Sequence, residues 1–111
     1  MPIKLNLTLV HANWCGHCRD FMPEWAKFTE RVNNKDFSIS KCKIKCKSIE
    51  SSELTDGNKI YINEKEVDSY PTLKIAVVSD GKTLKEIQYE GKRLHSEIES
   101  YLKLLAGEYN M

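Results

Sequence analysis

No apolar run in this chain approaches the roughly 18 residues that a membrane-crossing helix needs, so no membrane span is expected. Charge of one sign is also missing. The 17 basic and 16 acidic side chains leave a formal net charge of +1, which gives no reason to expect nucleic acid or an anionic membrane surface as a partner. There are no internal repeats and no low-complexity linkers. The opening Met-Pro-Ile-Lys-Leu-Asn has no apolar core of a secretory signal, and the closing Gly-Glu-Tyr-Asn-Met is no retention signal. As written, the chain is expected to be soluble, and the lack of a visible address favours the cytoplasm over the secretory route unless a processed segment has been removed. The even cysteine count decides little by itself. Four cysteines in 111 residues, with 41% of residues hydrophobic and 30% charged, describe a single globular domain over 1–111 whose core does not need disulfide staples.

What is present sorts into alternating strand-like and helix-like patterns. Ile3, Leu5, Leu7 and Leu9 alternate with Lys4, Asn6 and Thr8, which is strand periodicity. From Gly16 the period becomes helical: Cys18, Phe21, Met22, Trp25, Phe28 and Val32 share one side, with Pro23 predicting a kink and Asn33-Asn34 a stop. Ser38 to Lys47 alternates again, with Lys41, Lys43, Lys45 and Lys47 on one face and Cys42, Ile44 and Cys46 on the other. A lysine row guards a sheet edge against pairing with another chain, so an edge strand with its cysteines inward is expected. Residues 48–69 predict a short helix over Ile49–Leu54, a turn at Asp56-Gly57-Asn58 and an extended piece at Ile60 and Ile62. Leu73, Ile75 and Val77 mark a strand, Asp80-Gly81 a hairpin turn, and Leu84–Tyr89 the returning strand. Leu94, Ile98, Tyr101, Leu102 and Leu105 mark a last helix ending at Gly107. The first two strands must run parallel through a crossover, and the last two form an antiparallel hairpin.

The chemistry concentrates at Trp14-Cys15-Gly16-His17-Cys18, with Tyr70-Pro71-Thr72 further on. Two cysteines separated by two residues at a helix start can close a small disulfide and carry two electrons with no cofactor. Cys15 sits where unpaired N–H groups and the helix dipole favour a thiolate, which suits it as the nucleophile. His17 can add positive charge between the sulfurs, stabilise the thiolate over the disulfide and so tune the potential toward the oxidising side. Cys18, one turn further in, is the resolving thiol. Half of a zinc site is the plain alternative for such a pair. A structural zinc needs further ligands at matching spacing, and Cys42 and Cys46 lie four apart on an apparent strand, so no metal is expected. Strand residues at that spacing are roughly 13 Å apart, too far for Cys42 and Cys46 to bridge each other. Buried thiols acting as small apolar side chains is their default role. His11 and His95 read as ordinary polar residues near element ends.

Trp14-Cys15-Gly16-His17-Cys18-Arg19 followed by Pro23-Glu24-Trp25 resembles the active-site helix of the thioredoxin superfamily, with the Gly-His dipeptide of the catalytic domains of protein disulfide isomerase. Ser69-Tyr70-Pro71-Thr72-Leu73 resembles the cis-proline loop, and Tyr89-Glu90-Gly91-Lys92-Arg93 the segment before the last helix. The resemblance implies an α/β thioredoxin-like fold with a four-stranded mixed sheet of order 2-1-3-4 and helices packed on it, lacking the usual first strand and helix. It implies a thiol–disulfide oxidoreductase, a monomer whose partners are cysteine-containing protein substrates and glutathione or another thiol–disulfide couple. It also implies that Trp14, Gly16, Tyr70, Pro71 and Thr72 line the substrate site, and that Arg93 modulates the pKa of Cys18.

Three departures from the family pattern stand out. Leu9 occupies the position, six residues before the first active-site cysteine, where the family keeps a buried carboxylate that moves the resolving thiol's proton, so a slow release step is expected. Only 14 residues precede Cys15, which should uncover part of one sheet face. The 23 residues between Cys46 and Tyr70 exceed the family norm and suggest a lid, a partner site or a tolerated surface insertion. Rival readings are a reductase working in a reducing compartment, and a peptide-holding module in which Trp14, Tyr70 and the inserted segment do the binding and redox turnover is secondary.

Overall fold

The computed structural model describes residues 3–32 and 42–109. The first strand, β1 (Lys4–His11), leads through the active-site turn into helix α1 (Gly16–Val32), and β2 (Lys43–Glu50) follows. A 3₁₀ turn at Ser51–Glu53 precedes a small hairpin, β3 (Tyr61–Ile62) and β4 (Lys65–Glu66). The chain then closes with β5 (Thr72–Ser79), β6 (Lys82–Gln88) and helix α2 (His95–Tyr109). Four strands form one mixed sheet in the order β2-β1-β5-β6, and β3 and β4 pair separately. β2 runs parallel to β1, whereas β5 is antiparallel to both β1 and β6. With the small hairpin set aside, this is the thioredoxin-like arrangement that the sequence implies.

Period-two alternation decides which way each strand faces. Leu5, Leu7 and Leu9 of β1 and Leu73, Ile75 and Val77 of β5 all enter one core with Phe21, Trp25 and Phe28 of α1 and Ile98, Leu102, Leu105 and Ala106 of α2. Both helices thus cover the same side of the sheet. Trp25 and Phe28, one turn apart, stack with ring centroids 5.8 Å apart. At roughly 1.5–3 kcal/mol for each large apolar side chain removed from water, this layer supplies the main stabilising term. Cys42, Ile44 and Cys46 pack half-buried against its border, with the lysines between them exposed, as expected of an inward-facing cysteine row on an edge strand. Two polar contacts tie the helices together. Arg31 donates from Nε and Nη2 to the two Glu99 oxygens at 2.8 Å each, and Glu24 Oε1 lies 2.8 Å from His95 Nδ1 while accepting the His95 backbone N–H.

Several expected boundaries move. The predicted helix over Ile49–Leu54 is absent: β2 continues through Ile49 to Glu50, because both residues still pair with Val10 and His11 of β1, and only Ser51–Glu53 turn. That turn is held by a capping box in which Glu50 accepts Ser52 N–H and Glu53 accepts Glu50 N–H. The extended piece at Ile60 and Ile62 is half of a hairpin. Asn63 and Glu64 take φ of 50° and 72°, as a two-residue turn of the right twist demands, and buried Ile62 anchors the unit. Asn63 fastens the hairpin to β6, donating from its backbone and side-chain nitrogens to Glu86. Gly107 does not end the last helix. It lies inside α2, which continues to Tyr109, since a glycine loosens a helix without forbidding another turn. The Asn33-Asn34 stop and the Ser38–Lys41 stretch fall outside the described residues. The Asp80-Gly81 turn is present, with both φ angles positive.

The carboxylates that stitch these elements set the acid limit of the fold. Bonds from His95 hold Glu24 at about 2, and bonds led by Ser52 hold Glu50 at about 2. Arg31 lowers Glu99, and Lys74 lowers Glu86. A carboxylate whose folded pKa is depressed contributes stability above its unfolded pKa and loses it as the pH falls through the folded value. The thermal midpoint is therefore expected to fall as the pH drops from about 4.5 toward about 2. A midpoint that stays flat across that window would contradict these pairings.

Candidate active site

The site forms where β1 stops. After His11 the chain turns so that Cys15 N–H donates to Ala12 O at 3.1 Å, and α1 begins at the next residue. Cys15 thereby becomes the cap of the helix. Its Sγ accepts the Cys18 backbone N–H at 3.3 Å, the role that a serine or aspartate oxygen more often fills. No acidic residue lies in the first turn, so the positive end of the helix dipole meets only the sulfur. Cys15 Sγ also contacts Tyr70 O at 3.5 Å, and Cys18 Sγ accepts Ala12 N–H at the same distance. All four cysteines are thiols.

The two sulfurs are pushed in opposite directions. The Cys15 thiol falls below its ordinary pKa, first through the bond from the Cys18 thiol, then through the backbone N–H groups of Cys18 and His17 and the charge of Arg93, against the opposing effect of burial. The Cys18 thiol rises, first because burial disfavours its charged form and then because it serves as donor to Cys15. Cys18 is 2% exposed and Cys15 8%. Alkylation with iodoacetamide is therefore expected to modify Cys15 first, with a midpoint below that of a free thiol, while Cys18 stays protected. Equal rates at the two positions would contradict the asymmetry.

Around the sulfurs, Trp14 is 72% exposed and meets Tyr70 edge-on, ring centroids 6.0 Å apart, so it belongs to the rim and not the core. The Tyr70–Pro71 peptide bond is cis, and Thr72 is buried with its hydroxyl donating to Ser69 O at 2.7 Å. Gly16 is exposed beside Cys15, and a Cβ there would meet nothing within 4 Å beyond its chain neighbours. His17 is exposed as well, and what it brings to Cys15 is its backbone N–H. Arg93 reaches the pair through its charge, which favours the thiolate at both sulfurs. Its position depends on a tight turn: Tyr89 Oη donates to Lys92 O at 2.6 Å, and a Cβ on Gly91 would lie 2.6 Å from Tyr89 Oη.

Glu50 is a site residue that the sequence did not single out. Its Oε1 accepts Asn13 N–H at 3.1 Å, and Arg19 Nε donates to Asn13 O at 3.2 Å, so the loop carrying Trp14 is held from both sides. The capping-box spacing Glu50-Ser51-Ser52-Glu53 was the available signal for the turn, though not for the contact across the sheet. Leu9 is fully buried, so no carboxylate occupies its place in β1. Cys46 lies on β2 and Cys42 just before it, away from this pair, and burial pushes Cys46 up to about 12. Among the described residues no three His, Cys, Asp or Glu side chains converge as a metal-holding group would require, and no helix is long and apolar enough to cross a membrane.

The sequence model of the thioredoxin family matches residues 3–104. Protein disulfide-isomerase of Triticum aestivum is 34% identical over 97 residues, covering 87% of this chain and 17% of that protein. Thioredoxin domain-containing protein 5 homolog of Drosophila melanogaster is 30% identical over 97 residues, covering 87% and 21%. The chain thus spans about a fifth of the length of these relatives. Among solved structures, the first thioredoxin domain of mouse protein disulfide-isomerase A4 superposes with a TM-score of 0.57 at 23% identity, covering 92% of this chain and 63% of that one. The Trx4 domain of ERdj5 gives 0.63 at 17% identity, covering 89% and 76%. Fold, motif order and the match over residues 3–104 agree: the chain belongs to the thioredoxin family.

Proposed function

We propose that this domain is a thiol–disulfide oxidoreductase of the disulfide-isomerase type, exchanging disulfides with cysteine-bearing protein segments. The observation that carries the reading is the Cys15 sulfur accepting the Cys18 N–H at the start of α1, with Cys18 buried behind it and the carbonyl of Tyr70 beside it. The kinship with domains of proteins named protein disulfide-isomerase supports the same reading.

In the reducing direction the Cys15 thiolate attacks one sulfur of a substrate disulfide. A Cys15–substrate disulfide forms, and the other substrate sulfur leaves as a thiolate that takes a proton from water. Cys18 then loses its proton and attacks Cys15 Sγ, closing the Cys15–Cys18 disulfide and releasing the second substrate thiol. The substrate gains two electrons, and the domain loses two. Oxidation is the reverse sequence. Isomerisation stops at the mixed disulfide, where another substrate thiolate displaces Cys15 with no net electron transfer. Backbone groups beside cis-Pro71 would pair with an extended substrate, and Trp14 and Tyr70 would form the apolar rim that it crosses. Arg93 would ease deprotonation of Cys18 in the resolving step, and His17 would hold the potential near about −180 mV. Two glutathione thiols against one glutathione disulfide balance the two electrons of the Cys15–Cys18 pair, and a strongly reducing surround would turn the same couple into a reductase.

The direct test is to mix the domain with a model protein carrying scrambled disulfides in a glutathione buffer. Recovery of native pairings is expected to be faster than with glutathione alone. No acceleration in either isomerisation or reduction would refute the reading.

A further inference from the structure

We infer that the sheet face turned away from α1 and α2 is a docking surface for an acidic, extended polypeptide segment. Alternation places Lys4, Asn6 and Thr8 of β1 on that face. Their register partners share it: Lys43, Lys45 and Lys47 of β2 on one side, Val78, Ala76 and Lys74 of β5 on the other. Two adjoining hollows run along β1 and share Asn6 and Lys45 in their lining. The β3–β4 hairpin shares a cleft with Thr72 and Gln88 at the far end of this face, which leaves the lysine-lined half open among the described residues.

Charge, shape and an unpartnered acceptor together identify the occupant. Lys4 and Lys43 stand directly beside each other, a like-charge juxtaposition that costs stability unless an anion intervenes. Among the described residues Lys4, Lys43, Lys45 and Lys47 have no ion pair, whereas Lys74 is held by Glu86 at 2.8 Å. Protection of the β2 edge explains lysines on β2, but not the unpaired Lys4 on the interior strand β1. The floor is short or apolar, with Thr8, Ala76 and Val78, so a backbone can approach closely. Finally, the buried Oδ1 of Asn6 has no hydrogen-bond partner and needs a donor. A peptide supplies both requirements along one repeating backbone, carboxylates for the lysines and an N–H at nearly every residue for Asn6.

The test uses fluorescence anisotropy of a labelled decapeptide of alternating glutamate and alanine, titrated with the full chain. Saturable binding is expected, weakening steeply as salt rises from roughly 50 to roughly 500 mM. The double substitution Lys45→Glu and Lys47→Glu should weaken it by about tenfold or more while leaving disulfide exchange unchanged. No saturable binding at low salt, equal binding of the matching glutamine peptide, or undiminished binding by the double variant would overturn the inference. So would tighter binding of a single-stranded oligonucleotide or of anionic phospholipid vesicles, since the face would then serve a different class of partner.

Discussion

Replacing Cys15 with serine is expected to abolish exchange, a loss of at least about 10³-fold, because no other thiol among the described residues combines helix-cap stabilisation with access to substrate. A serine hydroxyl is an adequate cap, so the fold should keep its thermal midpoint. Cys18→Ser should behave differently. The attacking sulfur remains, but nothing is left to resolve the mixed disulfide, and a covalent substrate complex should accumulate that reducing agent releases. Non-reducing electrophoresis and mass measurement distinguish the two. If Cys15→Ser retained turnover while Cys18→Ser lost it, the assignment of nucleophile and resolving thiol would be inverted. If neither substitution impaired function, the domain would be a binder and not a redox catalyst.

The second large effect is expected at Leu9, where an acid should accelerate one step and weaken the fold. Leu9 is fully buried in β1, and the resolving thiol has its pKa raised by burial. Cys18 must therefore give up its proton with no carboxylate at the position the family uses for that task. A positioned base is worth about 10²-fold or more in such a transfer. Leu9→Glu should raise the rate of mixed-disulfide release by that order, followed by quenched-flow trapping of the intermediate. The same change buries a carboxyl among Leu7, Leu73 and their neighbours, and should cost at least about 2 kcal/mol of stability by denaturant unfolding. The paired outcome is informative, since a merely disruptive substitution would slow every step. An unchanged release rate would mean that Leu9 does not limit the resolving step.

The fold and the site differ in how far sequence could reach them. Leu5, Leu7, Leu9, Leu73, Ile75 and Val77 alternate cleanly, and one side of each strand is buried, so their direction was readable by period alone. The same holds for the Asp80-Gly81 turn, where only residues tolerant of positive φ fit. The β3–β4 hairpin escaped because strands of two residues have no period to detect, and its anchor is the long-range bond from Asn63 to Glu86. β2 ran on past Ile49 for a similar reason: pairing with β1 overrode the local pattern that predicted a short helix there.

In the site, residues 14–18 and 70–72 were legible because their chemistry depends on close spacing. Glu50 and the Glu24–His95 pair were not. Glu50 meets Asn13 across 37 positions, and Glu24 meets His95 across 71, distances over which a single sequence holds no local signature. His95 read as an unremarkable polar residue at an element end. It is at such an end, but there it joins α2 to the helix that Cys15 caps and that carries Cys18.

The central claim is that Cys15 and Cys18 form a reversible two-electron couple poised for isomerisation. Equilibration of the domain against defined ratios of reduced and oxidised glutathione, with the thiols quenched and counted by mass, measures it directly. The account predicts a Cys15–Cys18 couple near about −180 mV, with Cys42 and Cys46 remaining thiols throughout. A couple near about −270 mV would contradict the isomerase assignment and the role given to His17, and failure of Cys15 and Cys18 to form a disulfide at any ratio would contradict the account as a whole.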